Sequence, residues 1–214
     1  MNTYYERLPI AVQRSLAPAK TEEFAAQDFV LHVSKSDSIK RFEPWIPTST
    51  APREDRSVLR VPTSIDLLDC FFGNGTVYWD FEKSFYNEQT IPTWTIYQIK
   101  TDTIYLPNKK LIPDVDLTDE VWVLPRKEGP YPAVKIGEGK VIRYSEDKNV
   151  IKEHKTQMDF IFKINDGYQL KADGKVLESG CYLFSTKGAH VYGIPNGSSR
   201  ITEISESKYK ELST

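Results

Sequence analysis

The chain predicts an α+β fold: a mixed β-sheet domain over residues 29–145, then an antiparallel β meander over 146–214, with residues 1–28 as a helical N-terminal arm. Three observations carry this reading. Between 29 and 145, short runs of β-branched and aromatic residues alternate with one segment of helical spacing. Beyond about residue 150, β-type runs recur at short intervals, separated by Asp-Gly and Ser-Gly pairs, which is the turn chemistry of hairpins. The polar run Glu146-Asp147-Lys148-Asn149 marks the change of texture.

Taken in order, Pro9 opens a turn in the arm, and Ile10, Ala11, Val12 and Leu16 supply its apolar contacts. Thr21 ahead of Glu22 and Glu23 reads as an N-cap with acids in the first turn. Phe29–Ser34 is an apolar strand containing one histidine. Pro44, Pro47 and Pro52 then fall among polar residues. Prolines at that density remove donors and block a ladder, so 43–57 is predicted as a long loop. Val58–Val61 is a short strand, and Thr63 or Ser64 caps a helix over Ile65–Phe72, where Ile65, Leu68 and Phe72 share a face. Gly73-Asn74-Gly75 ends that helix. Val77–Phe81, Trp94–Ile99 and Ile104–Leu106 read as strands, Pro113–Asp116 as a turn, and Leu117–Leu124 as an apolar strand with acids at its entrance. Pro125, Gly129, Pro130 and Pro132 break the chain before a further strand at Ile136–Tyr144. The meander comprises Met158–Ile164, Tyr168–Lys171, Lys175–Leu177, Tyr182–Ser185 and His190–Ile194. Ile201–Ile204 closes it, and Ser207–Leu212 forms a terminal helix.

Composition narrows the function classes. The apolar fraction of 39% supports a packed core and excludes a disordered chain. Lysine and arginine total 28 against 30 acidic residues, so a broad phosphate-neutralising face is not favoured and nucleic acid is not an expected partner. No stretch approaches the ~18 apolar residues of a membrane span, and Met1–Arg7 lacks the apolar run of a signal peptide. The expectation is a cytoplasmic protein without a membrane partner. Cys70 and Cys181 then read as buried thiols rather than a disulfide. Asn74-Gly75-Thr76 and Asn196-Gly197-Ser198 match a glycosylation sequon but read as turns in that compartment.

The chemistry-bearing residues are few. His32, His154 and His190 lack metal-site spacing, and no cysteine cluster accompanies them, so no metal is expected. A lone strand histidine such as His32 is most often satisfied by a backbone partner, and Glu120 at a strand entrance is usually solvent-facing. Arg53, Arg56 and Arg60 flank the proline loop. They either clamp a pyrophosphate bidentately or pair with Glu54 and Asp55. Trp45, Tyr78, Trp79 and Trp94 either stack on a planar ligand or fill the core.

The order of these features resembles the histidine-type ADP-ribosyltransferase-like domains. Leu31-His32-Val33-Ser34 resembles the strand that opens the NAD site there, and Leu117-Thr118-Asp119-Glu120-Val121-Trp122 looks like the Thr-Gly-Glu-x-Trp run of some small members. Asp119 stands where that run has glycine, which makes Asp119 a rival to Glu120, and only part of the family's middle motif is visible at Thr63-Ser64. The resemblance covers about residues 29–145. It implies NAD as cofactor, His32 and Ser34 on the ribose, Arg56 or Arg60 on the phosphates, and Glu120 as the catalytic carboxylate opposing charge at the anomeric carbon. Size, texture and the ending Ser207–Leu212 also resemble a bacteriophage or bacterial accessory protein, which places it in the host cytoplasm if phage-encoded. Two functions follow: an NAD-dependent ADP-ribosyltransferase acting on a host macromolecule, or a non-catalytic accessory protein that sequesters a nucleotide or a host protein. A minor virion or assembly component is a third, weaker reading.

Overall fold

A computed structural model describes residues 3–21, 28–47, 54–73, 92–113, 115–145, 157–185, 190–195 and 202–203. The chain divides into two compact units, Met1–Val33 with Ser38–Gly73 and Tyr97–Lys135, and Ser34–Asp37 with Asn74–Ile96 and Ile136–Thr214. The architecture is α+β and strongly β-rich, with mostly antiparallel sheets and a few short helices. Among the described residues, no helix is long and apolar enough to cross a membrane.

In the first unit, a 3-10 turn (Tyr5–Arg7) and α1 (Ile10–Gln13) lead into β1 (Leu16–Lys20), where the sequence reading has only a helical arm. Ala17 and Pro18 are poor strand formers. The strand forms because Leu16–Lys20 pairs antiparallel with β6 (Thr103–Pro107), and Pro18 is tolerated because β1 is the last strand of its sheet. That sheet runs β1-β6-β7-β4, with β4 at Val61–Thr63 and β7 at Val121–Val123, while β5 (Trp94–Lys100) lies outside it. The pairings within this sheet are all antiparallel. Leu31 of β2 (Phe29–Ser34) forms an isolated bridge to Ser64, the residue after β4, with backbone bonds of 2.7 and 3.0 Å. β3 (Arg41–Phe42) pairs with the start of β8 (Tyr131–Ser145), so β8 begins inside the region that the prolines were expected to break.

The helix α2 covers Leu67–Phe72, and its cap is Asp66, whose carboxylate accepts the Leu68 N–H at 3.0 Å. The expected caps do other work. Ser64 Oγ accepts the Asp66 N–H, and Thr63 donates across the ladder to the Val121 carbonyl. Leu67, Leu68, Cys70 and Phe71 form the buried face, rather than the triad Ile65, Leu68 and Phe72. A short α3 (Val115–Thr118) replaces the expected start of the Glu120 strand.

Alternation along β7 divides this unit's core in two. Val121 and Val123 join Val30, Phe42, Val61, Tyr97 and Tyr131. Trp122 and Leu124 join Leu16, Val58, Tyr105 and Ile112. Successive strand residues point to opposite faces, so the β4–β7 ladder carries one apolar cluster on each side.

In the second unit, β9 (Gln157–Ala172) and β10 (Lys175–Ser185) form one long hairpin, flanked by β8 and by β11 (His190–Pro195). β12 (Thr202–Glu203) pairs with β11, so the closing strand lies within the expected stretch. Ala172 faces Lys175 across Asp173-Gly174, with φ of 52° and 74°. Two positive φ values make a type I′ turn, as the Asp-Gly signal implies. Two further expected turns are not turns, and the fourth, Lys187-Gly188, lies outside the described residues. Asn165-Asp166-Gly167 and Ser179-Gly180 lie inside strands, where the ladder shifts register between the Ile164–Gly180 and Gln169–Glu178 pairs. They form a bulge, with Gly167 at φ 80°. The expected strand at Val77–Phe81, the helix after Thr21 and the terminal helix at Ser207–Leu212 lie outside the described residues.

Gly137 pairs with Ile164, and a methyl added to it would overlap the backbone oxygen of Lys163. Backbone cannot swing aside as a side chain can. Gly137→Ala is therefore expected to lower stability by about 1–3 kcal/mol, the cost of overpacking. The measurement is a urea midpoint at unchanged slope, and a variant as stable as the parent overturns the account.

Candidate functional site

The residues that sequence reading singles out in the first unit gather around β4, but on two faces. On one, four rings descend from the surface into the core. Trp45 is 37% exposed and meets His32 edge-on at 5.9 Å between centroids. His32 meets Phe42 at 4.7 Å, and Phe42 meets Tyr97 at 5.6 Å. Each contact is edge-to-face, the geometry that sets the positive rim of one ring against the negative face of the next. The backbone fixes both ends of the ladder. Trp45 and Arg60 exchange N–H···O bonds of 2.9 and 2.8 Å, and the Tyr97 hydroxyl accepts the Ile39 N–H. Phe42 and Tyr97 carried no functional signal in the sequence, because isolated aromatics in β-type runs look like ordinary core.

His32 is half-buried, and its Nδ1–H donates to the Pro62 carbonyl oxygen at 2.8 Å. A carbonyl only accepts, so this bond sets which ring nitrogen carries the proton. Burial pushes the imidazole below its ordinary pKa of 6.5, and the Pro62 bond opposes that push only in part. Ser34, proposed beside it on the ribose, accepts a bond from the Ser36 N–H in a local turn.

Glu120 lies on the other face. Its carboxylate accepts the indole N–H of Trp122 at 2.7 Å, and Trp122 belongs to the cluster opposite that of Phe42. Glu120 and His32 are thus each held by a structural bond, one to the Trp122 indole and the other to the Pro62 carbonyl. Asp119, the rival carboxylate, is exposed at φ 40°, and its carbonyl accepts a long 3.5 Å bond from Ser64.

Arg60 fills the space under Trp122. Its side chain is fully buried, with the guanidinium carbon 4.1 Å from the Trp122 ring centroid. One Nη pairs with Glu54 at 2.5 Å and bonds the Asp55 carbonyl, and the other bonds the Val58 carbonyl and lies 3.7 Å from the Asp55 carboxylate. This is the Glu54/Asp55 pairing rather than a phosphate clamp. Among the described residues, Arg60 Nε and Thr118 Oγ1 are the buried side-chain polar atoms without a hydrogen-bond partner. Arg56 is exposed, and Arg53, Tyr78 and Trp79 lie outside the described residues. Trp94 is core, at 3% exposure. No group of three or more metal-ligating side chains occurs among the described residues.

Both cysteines are free, but only Cys70 is buried; Cys181 is exposed, contrary to the expectation for it. Cys70 Sγ–H donates to the Leu31 carbonyl. Burial pushes its pKa well up, helped by the negative charges of Asp69, Asp66 and Glu120.

The chain was compared with family models, curated proteins and solved structures, and it matches none of them. The ADP-ribosyltransferase-like resemblance accordingly rests on the sequence motifs alone.

Three outcomes follow from this geometry. Arg60→Ala removes the partner of two carboxylates and the packing under Trp122. It is expected to cost about 3 kcal/mol in chemical unfolding, with Arg60→Lys recovering only part, since an ammonium has no planar fork to stack and bridge. A loss under about 0.5 kcal/mol, the range of ordinary surface changes, rejects the role.

The folded pKa of His32 lies below its unfolded value of 6.5. In the window between the two, the unfolded chain binds more protons than the folded one. Stability therefore falls as pH drops below about 6.5 and owes nothing to this group above it. His32→Gln should flatten that part of the stability–pH curve, and an unchanged slope refutes the assignment. For the thiols, a disulfide reagent at neutral pH should titrate Cys181 alone in the native protein and both cysteines after unfolding.

Proposed function

We propose that this chain is a non-catalytic binding protein whose ligand, a nucleotide or a host protein, contacts the outer end of the ring ladder at His32, Trp45 and the adjoining Ile46, which is 39% exposed. One observation carries the reading: Glu120 is engaged by the indole of Trp122, a member of one apolar cluster, while His32 bonds the Pro62 carbonyl and packs on Phe42, a member of the other. Transfer of ADP-ribose from NAD needs a fixed negative charge beside the carbon where positive charge develops. It needs that charge in the same cleft as the groups holding the nucleotide. A carboxylate bonded to the Trp122 indole, with His32 packed on a member of the other cluster, does not meet that requirement. An exposed tryptophan anchored by its backbone suits binding instead, because a pre-placed ring loses little freedom when a ligand covers it.

The competing reading, an NAD-dependent ADP-ribosyltransferase with Glu120 as catalyst, is supported by the motif resemblance. Calorimetry with NAD and ADP-ribose, run beside transfer of labelled NAD to host lysate, separates the two. The binding reading expects no turnover. It expects Trp45→Ala to weaken any nucleotide bound at least tenfold, which is a change of about 1.4 kcal/mol, and Glu120→Gln to leave affinity unchanged. Turnover that is lost in Glu120→Gln with binding intact would be the signature of a transition-state carboxylate and overturns the proposal. If neither nucleotide binds, the nucleotide arm falls and a protein ligand remains.

A further inference from the structure

We draw no further inference here: the strongest candidate outside the ring ladder, the open face of the β9–β10 hairpin where Ile161 and Val176 are exposed, is an apolar patch for which nothing in the structure shows what covers it.

Discussion

A fully buried guanidinium holds the first unit together. An arginine removed from water must have its charge met, and Arg60 finds that charge within a few residues of its own backbone, although its Nε is left without a hydrogen-bond partner. Glu54 and Asp55 supply the charge, the Asp55 and Val58 carbonyls take donors, and the Trp122 ring covers the flat side. The acidic pair is itself tied down, since Asp55 bonds Leu111 through its backbone and the Ser57 and Val58 amides through its carboxylate. The same residue also acts through its main chain, because its bridge to Trp45 sets the outer end of the ring ladder. Side chain and backbone of one arginine thus organise both faces of the β4–β7 ladder.

The strand period of two explains why the apparent functional pair comes apart. Val121 and Val123 enter one cluster while Trp122 and Leu124 enter the other. Glu120, two residues before Trp122, shares the tryptophan's side and spends its carboxylate there. His32 lies two residues after Val30, which belongs to the cluster of Phe42, and its ring packs accordingly. Order along a sequence says that a histidine strand and a glutamate strand exist. It does not say which parity each presents once an intervening strand sets the register.

What could be read in advance was what local chemistry determines. The β-formers at Trp94–Ile99 and Ile104–Leu106 lie within the strands Trp94–Lys100 and Thr103–Pro107, and Asp173-Gly174 is legible as a pair that tolerates positive φ. β1 was hidden because its strand character comes from β6, more than eighty residues away along the chain, and tertiary pairing outweighs the weak propensity of Ala-Pro-Ala. The pairing of Arg60 with Glu54 and Asp55 is legible as one of two alternatives, but its burial under Trp122 is not. In a stretch rich in proline and charge it resembles a solvated loop residue, and nothing nearby announces Trp122. The sequence offers Thr63 or Ser64 as the cap and the structure uses Asp66, since several good caps lie within three residues and only the backbone's exit from the ladder decides between them. The break in alternation at Ser179-Gly180 was read as a turn. It is a change of phase within one strand: Leu177 is buried at an odd position, Tyr182 and Phe184 at even ones.

That change of phase bears on how the second unit assembles. The tip from Gln169 to Glu178 joins residues only a few positions apart. Such short closures occur on the microsecond scale, well ahead of any pairing that must span eighty residues. A fast-forming tip is also where a strand can slide by two and trap itself. Here a slip would stop at the irregular segment between Ile164 and Gln169, because the two stretches of ladder on either side do not share one continuous register. The bulge separates this tip from the stretch that carries Phe160, Phe162, Tyr182 and Phe184.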